Sequence, residues 1–135
     1  MEYDLHNSIL QKVSFPLGSV AINETIAGEI IDTHGFESVE FIVTSRTLTD
    51  GDYAFFIEDG SASNLSDAEL VPSELVLGGP MTYDSTEDAT SKRVGAVSKK
   101  RYVRISVTST NVTSGGSFSG IGILGNPQSR PVSEV

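Results

Sequence analysis

Three kinds of side chain here have types and spacing that suggest chemistry: clustered carboxylates, two histidines and a run of cations. Asp50-Gly51-Asp52 and Glu58-Asp59 put carboxylates near one another, as loose calcium loops do. They lack the twelve-residue order of an EF-hand, and Asp-Gly is the ordinary dipeptide of a hairpin turn. Between Asp50 and Asp88 there are ten acids and no Lys or Arg. With eighteen acids in the chain, accidental pairs are many, so no acid/base dyad stands out. His6 and His34 are the only histidines and there is no cysteine, which removes thiolate nucleophiles, disulfides and His- or Cys-rich metal sets. Gly120-Ile121-Gly122-Ile123-Leu124-Gly125 spells G-x-G-x-x-G, yet no helix follows and no βαβ unit fits. The metalloprotease, serine-hydrolase and P-loop motifs do not occur. Asn23-Glu24-Thr25, Asn64-Leu65-Ser66 and Asn111-Val112-Thr113 are formal glycosylation triplets, expected to carry no meaning because no signal peptide is expected. The expectation is a protein that is not an enzyme, with no cofactor and no metal site.

The cations are the remaining candidate. Six of the nine, namely Lys92, Arg93, Lys99, Lys100, Arg101 and Arg104, fall within thirteen positions. They lead into Tyr102-Val103-Arg104-Ile105-Ser106-Val107-Thr108, where Val103, Ile105 and Val107 alternate with more polar residues. That period of two describes a strand with one face in a core and the other toward water. A central strand carrying a basic stripe follows, with Lys100, Arg101 and Arg104 as candidates for meeting an acidic protein surface. A solvated strand face is the ordinary alternative.

The elements that would position these residues read as strands almost throughout. Residues 1–18 are expected to form an N-terminal arm: Leu5, Ile9, Leu10 and Val13 are apolar without a clear period, and Phe15-Pro16-Leu17-Gly18 contains a residue that cannot donate to a ladder. So much apolar surface in a terminal segment calls for an anchor, on this domain or on a neighbour. Residues 25–32 and 38–44 read as strands, the latter burying Val39, Phe41 and Val43. Asp50-Gly51 predicts a hairpin to a strand burying Tyr53, Phe55 and Ile57. Residues 59–90 form a long excursion with a capping-box spacing at Ser66–Glu69 or two short strand pieces around Pro72. Residues 92–97 are a strand with a bulge at Gly95-Ala96. Phe118, Gly120, Gly122 and Leu124 share a face of the last strand. This gives about seven or eight strands with frequent turns, an all-β single domain, either a β-sandwich or a jelly-roll-like barrel. The domain is expected over 19–127, with a short C-terminal tail over 128–135.

A chain of 135 residues has room for one core. Its net charge of −9 argues against nucleic acid as a partner. No apolar run is long enough to cross a bilayer, and the acidic start Met1-Glu2-Tyr3-Asp4 is unlike a signal peptide, so synthesis in a cytoplasm is expected.

Taken together, Asp4-Leu5-His6-Asn7, the stretch 30–41 (Ile-Ile-Asp-Thr-His-Gly-Phe-Glu-Ser-Val-Glu-Phe), Leu48-Thr49-Asp50-Gly51-Asp52-Tyr53, Lys100-Arg101-Tyr102-Val103-Arg104 and Gly125-Asn126-Pro127 resemble a family of small tailed-bacteriophage structural proteins, the capsid cement or decoration proteins. The resemblance spans nearly the whole chain. It implies a small β-rich domain on the outer capsid surface of a virion, bridging neighbouring subunits of the major capsid protein, as a homodimer or homotrimer. With that role in view, the candidate interface residues are Leu5, His6, Ile9, Leu10 and Val13 of the arm, Lys100, Arg101 and Arg104 of the stripe, and Arg130, Pro131 and Val132 of the tail. Two other readings stay open: a head–tail connector or tail component, and a carbohydrate-binding β-sandwich. The last wants exposed aromatics, and of ten aromatic residues only Tyr3 and Tyr83 are candidates for free platforms.

Overall fold

The computed structural model describes residues 4–129. Arg130, Pro131 and Val132 therefore lie outside the described residues, as does Tyr3. Eleven strands run in chain order among the described residues: β1 (Leu10–Val20), β2 (Thr25–Ala27), β3 (Ile31–Asp32), β4 (Phe36–Leu48), β5 (Asp52–Gly60), β6 (Glu69–Leu70), β7 (Val76–Leu77), β8 (Met81–Asp84), β9 (Ser91–Ala96), β10 (Tyr102–Thr110) and β11 (Gly116–Pro127). They form two antiparallel sheets. The first has the order β1-β11-β4-β9-β7. The second has β10 and β5 at its centre, with β2 and β3 along the outer edge of β10 and β6 and β8 along the outer edge of β5. The chain changes sheet at nearly every connection, and strands adjacent in space are mostly distant in sequence. That is the order of a two-sheet jelly roll, and the sheets face one another as a sandwich and do not close into a barrel.

Alternation decides which side chains point inward. Val39, Phe41 and Val43 of β4 and Phe118 and Leu124 of β11 come from one sheet. Tyr53, Phe55 and Ile57 of β5 and Val103, Ile105 and Val107 of β10 meet them from the other. At the centre, the Phe118 ring sits edge-on to three rings of the opposite sheet: Tyr53 at 4.9 Å, Phe55 at 5.2 Å and Tyr83 at 5.2 Å between centroids. Such T-shaped pairs add stabilisation beyond the area they bury. Gly122 is small for a reason: a Cβ there would lie 2.5 Å from the Ile31 side chain of the facing sheet.

Several expectations are corrected. From Leu10 onward the expected arm is β1, paired with β11 from Leu10↔Leu124 to Val20↔Gly116. Register shifts between Val13 and Phe15 and between Phe15 and Gly18 absorb Pro16 and blur the alternation, which is why the sequence pattern reads as irregular. The strand expected over 25–32 is interrupted. At the break the Gly28 amide donates to the Ile105 carbonyl and the Glu29 amide to the Ser14 carbonyl, so this segment ties β10 of one sheet to β1 of the other. A side chain at position 28 would collide with both carbonyls.

Asp50-Gly51 is a turn, with Gly51 at φ +100°, but no hairpin: β4 and β5 lie in opposite sheets. The Asp50 carboxylate accepts the amides of Thr113, Ser114 and Gly115, pinning the loop before β11. These amides hold its carboxyl below the usual carboxylate range. Ser66 and Asp67 form a turn and Glu69 opens β6 in place of a helix, with Asp67 accepting the Ser61 and Ala62 amides. The short strand pieces on either side of Pro72 are present as β6 and β7. No shift breaks the β4–β9 register, so the bulge at Gly95-Ala96 is absent.

The Phe118→Ala variant is expected to lose about 3–5 kcal/mol, since it removes the ring that three others pack around. Urea unfolding followed by Tyr fluorescence measures this; a loss below about 1 kcal/mol would show that the ring cluster does not hold the sheets together.

Candidate functional site

The basic stripe lies where β10 begins, and its charges are met by this chain's own acids. Arg101 Nε and Nη2 donate to Asp32 Oδ1 and Oδ2, both at 2.8 Å, across the β10–β3 edge. Arg104 Nε donates to Glu58 Oε1 at 3.1 Å, directly across the β10–β5 ladder. Lys100 Nζ lies 3.6 Å from Asp59 and 3.5 Å from Glu69. Three cations thus face four carboxylates, and the stripe presents no net positive face. Arg101 holds the Asp32 carboxyl down to about 2, chiefly through the paired hydrogen bonds. Sequence alone misses these partners because they lie tens of positions away.

Tyr83 is also not the free platform that a glycan would need. Its ring is buried, its hydroxyl lies 2.7 Å from the Val43 carbonyl and 3.0 Å from that of Thr90, and Lys92 Nζ sits 4.6 Å above the ring. Burial pushes its phenol up to about 12.

With Lys100, Arg101 and Arg104 paired, exposed apolar surface marks two candidate sites among the described residues. The first is the outer face of the β1-β11-β4 sheet. Val13, Ile121 and Ile42 pair in register across the three strands, and the row continues to Arg93 of β9. Val13 is 59% and Ile121 40% exposed. Of the other arm candidates, Leu5 is exposed, His6 opens a short 3-10 helix (His6–Ser8), Ile9 is half-buried, and Leu10 starts β1 and packs against the core. The structure thus brings Leu10 and Val13 onto one strand, beside the end of β11, and leaves Lys100, Arg101 and Arg104 on the other sheet.

The second site lies along the outer edge of β5. Here β6 pairs with Glu58 and Asp59 and the Val71 amide donates to the Ile57 carbonyl, whereas β8 pairs with Asp52–Phe55, leaving a one-residue gap at Phe56. Pro72 and Pro80 flank the segment that leaves this sheet, lends β7 to the other and returns as β8; neither can donate to a ladder. The gap opens into a cavity of about 410 Å³ floored by the core residues Phe55, Ile57, Met81 and Val94. Leu70, Leu75 and Leu77 stand exposed nearby. Sequence marks this region only as a long acidic excursion.

No family model matches the chain, and no curated protein matches it. Solved structures share its fold. The PBSX exported protein XepA superposes with a TM-score of 0.60 at 12% identity, covering 93% of this chain and 39% of that one. The chain thus spans about two-fifths of XepA's length. The SPBc2 prophage-derived protein YomS matches with a TM-score of 0.49 at 14% identity, covering 86% of this chain and 91% of that one. A chain from the capsid of Ralstonia phage GP4 gives 0.49 at 12% identity, covering 90% and 84%. At 12% identity the likeness to XepA is one of fold.

The Asp32–Arg101 pair makes a signed prediction. A carboxyl whose folded pKa, about 2, lies below its unfolded value adds stability above the unfolded pKa and loses it as pH falls toward about 2. Both side chains are about half exposed, so screening keeps the effect small. The stability difference between wild type and Asp32→Asn is expected to be present at pH 6 and to shrink between about pH 4 and pH 2; a difference constant over that window would rule out the ion pair as its source.

Proposed function

We propose that this chain is a virion structural protein of a tailed phage, a cement or decoration protein that binds the outside of the capsid and bridges neighbouring major capsid protein subunits. The observation that carries the reading is the exposed in-register row Val13–Ile121–Ile42 on a sandwich that folds around its own core. Apolar side chains gathered on one sheet face, in a chain of net charge −9, suit adhesion to a protein surface. The sequence resemblance to cement proteins and the fold shared with a PBSX protein support it. The role is mechanical, not catalytic. A modest contact suffices when many copies hold one shell and each copy touches two neighbours. Self-association as a homodimer or homotrimer would use the outer edge of β1 away from Ser14, whose carbonyl the Glu29 amide already takes. Nucleic acid is a poor partner for so acidic a chain, and no helix among the described residues is long and apolar enough to cross a membrane.

Two measurements test this. Copy number in purified particles should be on the order of hundreds, as a repeating shell lattice requires, where a ring at the neck or tail would hold about six or twelve. Deletion of residues 1–9, which leaves β1 whole, should preserve the urea midpoint, and Val13→Asp with Ile121→Asp should abolish capsid decoration in a folded protein. Saturation of capsids by the double variant would refute the assignment of that face.

A further inference from the structure

The cavity beside Phe56 is separate from the apolar row assigned to the capsid, and what it can hold does not depend on that reading. It lies between the two sheets, at their margin. Phe55 and Ile57 of β5 and Met81 of β8 line it from one sheet and Val94 of β9 from the other; all four are core residues, at most 7% exposed. Its wall is the segment that crosses between the sheets after Val71, through Ser73 and Val76, and returns at Gly79-Pro80. Leu70, 64% exposed, forms the outer lip. The space is about 410 Å³, inside the roughly 300–1,000 Å³ of pockets that hold small molecules.

Backbone geometry excludes a strand as the occupant. The edge of β5 is taken on both sides of Phe56: Phe55 pairs with Met81, and the Val71 amide donates to the Ile57 carbonyl. One residue separates these partners, too little for a third strand to pair in the same edge. Side chains then decide the chemistry. No lining residue carries a charge, and Ser73 has the only polar side chain among them. A carboxylate or phosphate group brought here would lose its water and meet no cation, since the whole stretch 50–88 has no Lys or Arg. An ammonium group would meet no carboxylate in the lining. Water in such a space finds few partners, so an uncharged apolar guest gains by displacing it and touches the side chains of both sheets.

We propose that the cavity beside Phe56 is a binding site for a small, uncharged and largely hydrocarbon molecule, held between the β5–β8 edge of one sheet and β9 of the other, under the segment 71–80.

The test uses the full chain with labelled methyl groups and three probes that share one ring: cyclohexanol, cyclohexanecarboxylate and cyclohexylammonium, near neutral pH. NMR signals of Val71, Val76, Met81 and Val94 should shift with cyclohexanol and saturate with a dissociation constant of about 1 mM or tighter, within reach of a ligand of so few atoms. The two charged probes should bind about tenfold or more weakly. Cyclohexanol should also raise the midpoint of thermal unfolding as its concentration rises. Val76→Phe puts bulk where the guest sits and should weaken cyclohexanol about tenfold or more; Leu70→Trp, at the exposed lip, is the second obstruction should the first variant fail to fold. Shifts that never saturate, shifts confined to other methyls, equal affinity for the charged probes, or unchanged affinity in the obstructed protein would each overturn the proposal. So would silence toward cyclohexanol while a capped trileucine peptide moves the same methyls, which would give the cavity to a protein side chain. Dimers in sedimentation that Leu70→Asp removes, with those methyls silent toward cyclohexanol, would give it to a second copy.

Discussion

Two sheets that exchange strands at nearly every turn of the chain can hold together only through what lies between them. With no cysteine available to cross-link them, that work falls to the packed inner faces. Phe118 enters from one sheet among Tyr53, Phe55 and Tyr83 of the other, and Phe15 of β1 meets Phe55 at 5.9 Å. The two tyrosines are more than filler. Tyr53 donates to the Asp50 carbonyl in the connection between β4 and β5, and the Tyr83 hydroxyl reaches Val43 of β4 in the facing sheet. Each ring is thus buried with its polar end satisfied, and each ties a strand to a neighbouring element in a way that phenylalanine cannot.

This constraint explains which parts of the fold were legible in the sequence. Inward faces were: alternation over Val39–Val43, Tyr53–Ile57, Val103–Val107 and Phe118–Leu124 is imposed by burial on one side, and it names the core correctly. Sheet membership was not. A turn such as Asp50-Gly51 looks the same whether the following strand returns beside its predecessor or crosses to the other layer, because its backbone need is local. Here the difference lies in the Asp50 carboxylate, which holds the loop at 113–115, some sixty positions away. β1 was hidden for another reason. Its register shifts move the alternation out of phase, so a strand at the sheet edge looks like an arm in need of an anchor.

The candidate sites were legible only in part. The clustering of cations near position 100 is plain in the sequence, but its meaning is set by Asp32, Glu58, Asp59 and Glu69, which the topology places across the ladder or along the adjoining edge. Once those pairs form, the stripe contributes to register between β10 and its neighbours, since like or missing charges there would leave a cation opposite a cation or opposite nothing. Val13 and Ile121 likewise gain significance only from register: each is an ordinary exposed apolar residue until pairing lines them up with Ile42.

The acidic excursion shows how a local rule creates a surface feature. A jelly roll of this order calls for one continuous strand along the outer edge of β5. The chain supplies two short ones, because Pro72 and Pro80 each remove a donor, and the residues between them cross to extend the other sheet as β7. The ladder is interrupted at Phe56, between the Phe55–Met81 pair and the bond from the Val71 amide to the Ile57 carbonyl, and a cavity floored by core residues opens beside the break. Closing it would have required only a strand-forming run in place of the prolines and Gly78-Gly79. The interrupted form leaves Leu70, Leu75 and Leu77 exposed to water. If the molecule adheres to a shell as proposed, its exposed apolar surface is what it has to offer, since Lys100, Arg101 and Arg104 are paired within the chain.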